Sequence, residues 1–526
     1  MKTKTSFSKS FALLVIIIAV FTGTFAYRSI VDVDIMEARN YVAAREMAAG
    51  GSYLIPTMNG ELRLAKPPLP TWFTAVAVDY AGSDNELSIL RIPSAIAGLI
   101  VLAGLYFMSR YFSGSGKVGY FTVLTMSTSF LFILMARKNT WDIYAHAFML
   151  SGLALIFYSH AIKSKNIFIH YALAGFLFAC SFMSKGPVSF YTVLLPVLIA
   201  SLFSFNFKPF LKENYGKILL CLAVTLIISA IWPVYVFVHE PHFAMNTVMA
   251  ESTAWVSRHK KPFWYYIQFP VMSGLWCIPL IPLLNPKFAF KRINPARAKF
   301  YLIWLISALV LLSLIPEKKD RYLLPVLIPS ALLTGEYLAV IASGVIISRA
   351  DRIVSNILIS LCIGILGTAF AAALYLQIFH SAMPWALFIA AELLIVFVFC
   401  LFLYEIKKKG AHGSIPTAVL SMCCAFLLIV PFIKIPDQDF RVLEKARNEQ
   451  ELTKYDVFYG DIGIKDVWAV GHKVLPLNAL SASVNEAVYI STGGDKLPSE
   501  FKAVKLKVFN FRNEKVWTFY RLKRIR

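Results

Sequence analysis

Apolar residues gather in long runs separated by short polar loops, and the alternation continues through most of the chain. A helix needs roughly 20 apolar residues to cross about 30 Å of hydrocarbon, and at that length the runs predict about thirteen spans. Their centres lie near residues 19, 98, 126, 152, 176, 196, 227, 275, 307, 332, 364, 394 and 424. From about residue 436 the pattern shortens. Runs such as Ala487-Val-Tyr-Ile490 and Val516-Trp-Thr-Phe-Tyr520 alternate with turn residues and read as strands of a small α/β domain. The expected layout is a membrane domain over 1–435, with a long first outer loop at about 28–87, and a soluble domain over 436–526.

Composition agrees with lipid as the main solvent, since 58% of the 526 residues are hydrophobic and only 16% are charged. The formal net charge of +22 raises the question of nucleic acid. Its distribution answers it, because Lys and Arg collect in every second short loop and no nucleic-acid motif is visible. Those loops hold Lys2, Lys4 and Lys9; Arg110 and Lys117; Lys163 and Lys165; and Lys208, Lys212 and Lys217. The series continues with Lys287, Lys291, Arg292, Arg297 and Lys299, then Arg349 and Arg352, then Lys407, Lys408 and Lys409. By the positive-inside rule this side, with the N-terminus, faces the cytoplasm. The apolar run from Phe11 to about Tyr27 follows a basic start and reads as a signal peptide or, preferably, an uncleaved first span. All seven cysteines fall in apolar runs, with no metal-knuckle or disulfide spacing, and are expected to be small core residues.

The opposite loops are richer in acids, histidines and aromatics. The first contains Asp32-Val-Asp34-Ile-Met36-Glu37-Ala-Arg39, Arg45-Glu46-Met47, Tyr53-Leu-Ile-Pro56, Asn59-Gly60 and Lys66-Pro67-Pro68-Leu69-Pro70-Thr71-Trp72. Later come Met183-Ser-Lys185-Gly186, His259-Lys-Lys-Pro262-Phe263-Trp264-Tyr265-Tyr266 and Lys318-Lys319-Asp320-Arg321-Tyr322. These collinear segments resemble the aminoarabinose lipid A transferase family, within the protein O-mannosyltransferase superfamily, over roughly residues 30–340. The resemblance departs at two positions. Met36 stands where the family has its first-loop catalytic Asp, and Ala65 replaces a Glu implicated there in binding zinc together with the fourth-loop His.

The resemblance implies a C-type glycosyltransferase fold that takes sugar from undecaprenyl phosphate in the bacterial inner membrane. It implies a lipid A, other glycolipid or protein acceptor, with the site and C-terminal domain in the periplasm. Nucleotide sugars are absent there, which weighs against reading Asp32-Val-Asp34 as a nucleotide-sugar metal motif. Breaking a bond from C1 to phosphate needs cations aimed at the leaving group. The candidates are Arg39, Lys66, Lys185 and Arg321, with Tyr322, Arg258 and His259 as further substrate-binding residues. Each basic residue alone would also suit an interface that binds anionic membrane lipids. The acceptor's base is Glu37 or Asp34, and the choice stays open at this point. Asp142 binds sugar, supports the first-loop helix, or simply pairs with Lys138 or Arg137. With Ala65 in place, no metal ligand set is assigned and no cofactor is expected with certainty. His239 and His242 read as loop surface, and Trp255, Trp264, Tyr265 and Tyr266 as interface anchors. Two rival functions are a transporter of lipid-linked sugar, which calls for interrupted helices in paired halves, and a catalytically silent scaffold.

Overall fold

The computed structural model describes residues 9–30, 32–205, 207–257, 259–344, 348–380, 384–430, 447, 452, 454–459, 462–480, 483–491, 499–510 and 516–525. The expected domain boundary near 436 lies outside them. The first half contains α1 (Lys9–Thr24), α2 (Ile35–Ala48), a hairpin of β1 (Thr57–Met58) and β2 (Glu61–Leu62), α3 (Leu69–Ala81), α4 (Leu87–Leu90) and α5 (Ile92–Ser113). It continues with α6 (Gly116–Ser127), α7 (Phe130–Arg137), α8 (Trp141–Ala161), α9 (Ile167–Lys185), α10 (Leu195–Ser204), α11 (Phe207–His239) and α12 (Pro241–Ser257). Then come α13 (Phe269–Met272), α14 (Cys277–Leu283), α15 (Pro286–Phe290), α16 (Pro295–Leu314), α17 (Leu324–Ile341), α18 (Arg349–His380), α19 (Trp385–Gly413) and α20 (Ile415–Ile429). The protein is a multi-pass, mostly helical membrane protein.

Among the described residues, 9 helices are long and apolar enough to cross a membrane, and two bent pairs raise the number to 11. Two shorter apolar helices, Phe190–Ser204 and Ile415–Ile429, fall on the remaining predicted centres. The bent pairs are α6 with α7, at 68°, and Phe263–Met272 with Gly274–Leu283, at 106°. The two breaks pack together, with Trp276 Nε1 donating to Thr128 Oγ1 at 2.9 Å across them. Such a contact occupies polar groups that a break would otherwise leave in hydrocarbon.

Helix α17 forms the centre of the bundle: its most apolar stretch is 94% buried, against 28% for α18 and for α19. Exposed leucines, isoleucines and phenylalanines on α11, α18 and α19 form the lipid-facing surface. Close crossings rely on small residues. A side chain at Gly335 would run into Thr122 of α6, and one at Gly23 would run into the Ser127 backbone. All seven cysteines are free, with Cys221, Cys362 and Cys423 buried.

The tail contains β3 (Val457–Tyr459), α21 (Ile464–Val470), β4 (Val474–Pro476), β5 (Glu486–Ser491), β6 (Phe501–Asn510) and β7 (Val516–Arg524). Its sheet has the order β4-β3-β5-β7-β6, with β3 parallel to both neighbours and β7 antiparallel to β5 and β6. It shares one core with the first loop, in which Tyr41, Val42 and Leu90 pack with Trp468, Val474 and Val488. Polar contacts fix this docking. Asn59 accepts from Val474 N at 2.9 Å and donates to Val474 O at 2.6 Å. Asp84 accepts from Arg45 at 3.1 Å and from Arg447, while its backbone oxygen accepts from Trp468 Nε1 at 2.8 Å. Removing one member of a buried charge cluster strands the others, at a cost of about 3 kcal/mol. Asp84→Ala is therefore expected to lower thermal stability by about that amount and to speed proteolytic release of the tail.

Candidate active site

Helix α2 starts with a capping box. Asp34 Oδ1 accepts from the backbone N–H groups of Met36 at 2.8 Å and Glu37 at 3.0 Å, while Glu37 Oε2 accepts from Asp34 N at 3.4 Å. Beyond this shared cap the two acids have different surroundings. Glu37 is fully buried and takes two hydrogen bonds from the equally buried Arg91, each at 2.8 Å. It also accepts from Tyr41 Oη at 3.0 Å and Asn139 N at 2.9 Å. No face of that carboxylate remains for a substrate proton. Asp34, 30% exposed in its side chain, turns Oδ2 toward Lys138 at 3.2 Å. Burial pushes this carboxyl up, but Lys138 and the two capping N–H groups outweigh burial and hold it below its ordinary value.

Asp142, in the first turn of α8, is the second centre of charge. One of the readings of the sequence paired it with Lys138 or Arg137, its neighbours in the chain. Instead it pairs with Lys185 at the end of α9, and Arg321 Nε lies 3.8 Å from its other oxygen. Lys138 is occupied by Asp34, and Arg137 donates to the carbonyls of Thr22, Gly23, Ala26 and Ile133 around the end of α1. Tyr322 lies beside this pole, with Lys185 Nζ 4.8 Å and the Arg321 guanidinium 5.7 Å from its ring centre. Behind Asp142, His146 Nδ1 contacts Ser189 Oγ at 2.9 Å. Asp34 also acts on Arg321 electrostatically, from the start of the first-loop helix. Lys66 also acts on Lys185, and it pairs with Glu251 of α12 at 2.9 Å. Arg39, one turn along α2 from Met36, is half-buried and acts on Arg63.

The structure thus gathers Asp34, Asp142, Lys185, Arg321, Tyr322 and Lys66, with Arg39 on the same helix as Asp34. His259 is exposed, with φ 48°, where its carbonyl accepts from Lys318 N at 3.3 Å. Arg258 lies outside the described residues, as does the side chain of Trp255. Trp264 is exposed in keeping with an interface role, but Tyr266 is buried against Lys319 and Tyr265 donates to Asp320 at 2.7 Å. His239 and His242 are at the surface. Sequence reasoning missed Arg91 and Glu251 as partners, and Arg63 altogether.

A family profile described as dolichyl-phosphate-mannose-protein mannosyltransferase matches residues 65–234. An arabinosyl transferase of Pseudomonas fluorescens, named as acting with undecaprenyl phosphate-alpha-4-amino-4-deoxy-L-arabinose, is 29% identical over 65% of this chain and 58% of its own length. A relative of the same description from Shewanella sediminis is 24% identical over 76% of this chain and 73% of its own. Crystal structures of ArnT from Cupriavidus metallidurans, apo and bound to undecaprenyl phosphate, match 97% of both chains with TM-score 0.68 at 16% identity. The chain thus resembles an aminoarabinose transferase-like family of membrane glycosyltransferases in sequence over part of its length, and it shares the fold of ArnT throughout.

The chain spans under two thirds of the Pseudomonas fluorescens relative, at 58% of its length. The zinc site that the resemblance implies does not assemble from these residues. Ala65 offers no donor, and among the described residues no three His, Cys, Asp or Glu side chains gather closely enough to hold an ion. The contrast between the two first-loop acids has a direct test in thermal unfolding of the purified protein. Glu37→Gln strands Arg91 and is expected to cost about 3 kcal/mol. Asp34→Asn keeps a capping side chain and is expected to cost less than about 1 kcal/mol.

Proposed function

We propose that this protein moves a sugar, with inversion, from a polyprenyl-phosphate carrier to an acceptor on the outer face of the bacterial inner membrane. The acceptor is lipid A, another glycolipid or a protein. The observation that carries the reading is the meeting of Lys185, Arg321 and Tyr322 around Asp142, beside the Asp34–Lys138 pair, at one end of a membrane bundle. The loop charges support a cytoplasmic N-terminus, with this end and the tail in the periplasm. The printed names of the relatives and the undecaprenyl phosphate bound to ArnT support the donor class.

In this reading the acceptor oxygen attacks C1 while the bond from C1 to the phosphate oxygen breaks. The electron pair leaves with the carrier phosphate, and Lys185, Arg321, Lys66 and Arg39 hold the charge that develops there. Asp34 Oδ2 takes the acceptor's hydroxyl proton, while Oδ1 keeps capping α2. Asp142 keeps Lys185 and Arg321 aligned before substrate arrives. Glu37 acts through structure alone. A carrier-translocating function draws on the two broken spans, and turnover separates it from transfer.

The test is sugar release from radiolabelled undecaprenyl-phosphate sugars by purified protein. Asp34→Asn and Lys185→Ala are expected to reduce turnover by about 100-fold, whereas folded Glu37→Gln retains it. Carrier binding without turnover in the wild type would favour translocation, and neither binding nor turnover would favour a silent scaffold. Lys138 and the capping N–H groups hold the folded Asp34 carboxyl below its ordinary value, so the acid limb of kcat/KM is expected to lie below the ordinary carboxylate range.

A further inference from the structure

We propose that Arg63, seated on the Trp141 ring beside the Lys66–Glu251 pair, is a further phosphate-binding residue, forming with Lys66 a second anion pole next to the Lys185–Arg321 pole. The inference rests on the transferase reading and extends it to a residue that neither the resemblance nor the motifs picked out.

The Arg63 guanidinium lies 5.3 Å from the centre of the Trp141 ring. Trp141 immediately precedes Asp142, so adjacent residues of α8 serve the two poles. The buried structural arginines provide the contrast. Arg91 donates to both Glu37 oxygens and to the Arg28 carbonyl, and Arg137 donates to four carbonyls. The half-buried Arg63 side chain makes no hydrogen bond among the described residues, although its five N–H groups are donors in a fixed fork. A guanidinium held over an aromatic ring by its cation–π contact keeps its N–H groups available to a phosphate.

The surroundings carry excess positive charge. Burial and then Arg39 bring Arg63 down to about 10, with Glu251 pulling the other way, and Lys66 already pairs with that carboxylate. A bound phosphate would relieve the repulsion between the two guanidinium groups. Trp141 Nε1, on the ring that Arg63 covers, and Arg321 Nε, in the other pole, have no hydrogen-bond partner among the described residues. Trp141 is only 1% exposed. An unpaired buried N–H costs about 1–3 kcal/mol, so its persistence beside two cation clusters fits a site completed by a ligand.

The phosphate has two possible sources, the carrier or the acceptor, and one pair of titrations separates them. Wild type, Arg63→Ala and Arg63→Lys are compared in lipid nanodiscs by tryptophan fluorescence. Undecaprenyl phosphate is titrated first, then inorganic phosphate onto protein saturated with the carrier. If Arg63 holds the carrier, Arg63→Ala weakens undecaprenyl phosphate about tenfold and Arg63→Lys recovers part of the loss. If it holds the acceptor's phosphate, carrier affinity is unchanged and the second, millimolar phosphate event disappears in Arg63→Ala. Equal affinities in all three proteins for both probes would overturn the proposal. So would a loss that Arg63→Lys leaves unrepaired while melting temperatures stay equal. Wild type that ignores undecaprenyl phosphate would count against the transferase reading, while inorganic phosphate alone would still test Arg63.

Discussion

The buried pair of Glu37 and Arg91 is the constraint on which the first-loop end of this molecule is built. Taking both charges out of water is costly, and only close, fully hydrogen-bonded geometry offsets that cost. Here the carboxylate collects Arg91 twice, Tyr41 and the backbone of Asn139, which ties α2 to α5 and to the turn between α7 and α8. Asn139 extends the network to Thr74, Leu90 and Tyr144. With Glu37 fixed inward, the N-terminus of α2 has one orientation, and Asp34 is left at the rim facing Lys138. The rigid acid and the available acid are thus consecutive parts of one cap.

The helical architecture was legible because the bilayer imposes a length on every apolar run, and each predicted centre falls on a helix or bent pair. The breaks at Thr128–Ser129 and Ser273–Gly274 were not legible, since apolar composition continues across them. The site was legible as a set of loops but not as a set of pairs. Where the sequence offered Asp142 a pairing with the bases nearest to it, among other readings, its partners come from α9 and the loop before α17. Only the packing of distant helices fixes such contacts. The structural role that Asp34 and Glu37 share did have a local signal, because Asp34 followed three residues later by Glu37 is a capping-box signature. Arg63 had none: it directly follows strand β2, and its significance comes from Trp141, far along the chain.

Charge at this end is arranged as cations around a few carboxylates, and those carboxylates keep the cations ordered before any ligand arrives. Lys185 and Arg321 share Asp142, Lys66 uses Glu251 and Lys138 uses Asp34. Preorganisation of this kind avoids spending binding energy on collecting long side chains. It also explains why acids that look like rival catalytic groups in the sequence serve different purposes in space.

The contact between Asn59 and Val474 closes a loop of 415 residues. Its consequence concerns time. Every membrane span must be synthesised and inserted before the strand that completes the surface of the first loop leaves the ribosome. The first long loop to be synthesised is therefore among the last parts to mature, and a chain interrupted before β4 carries a complete helical bundle whose first loop lacks its partner strand.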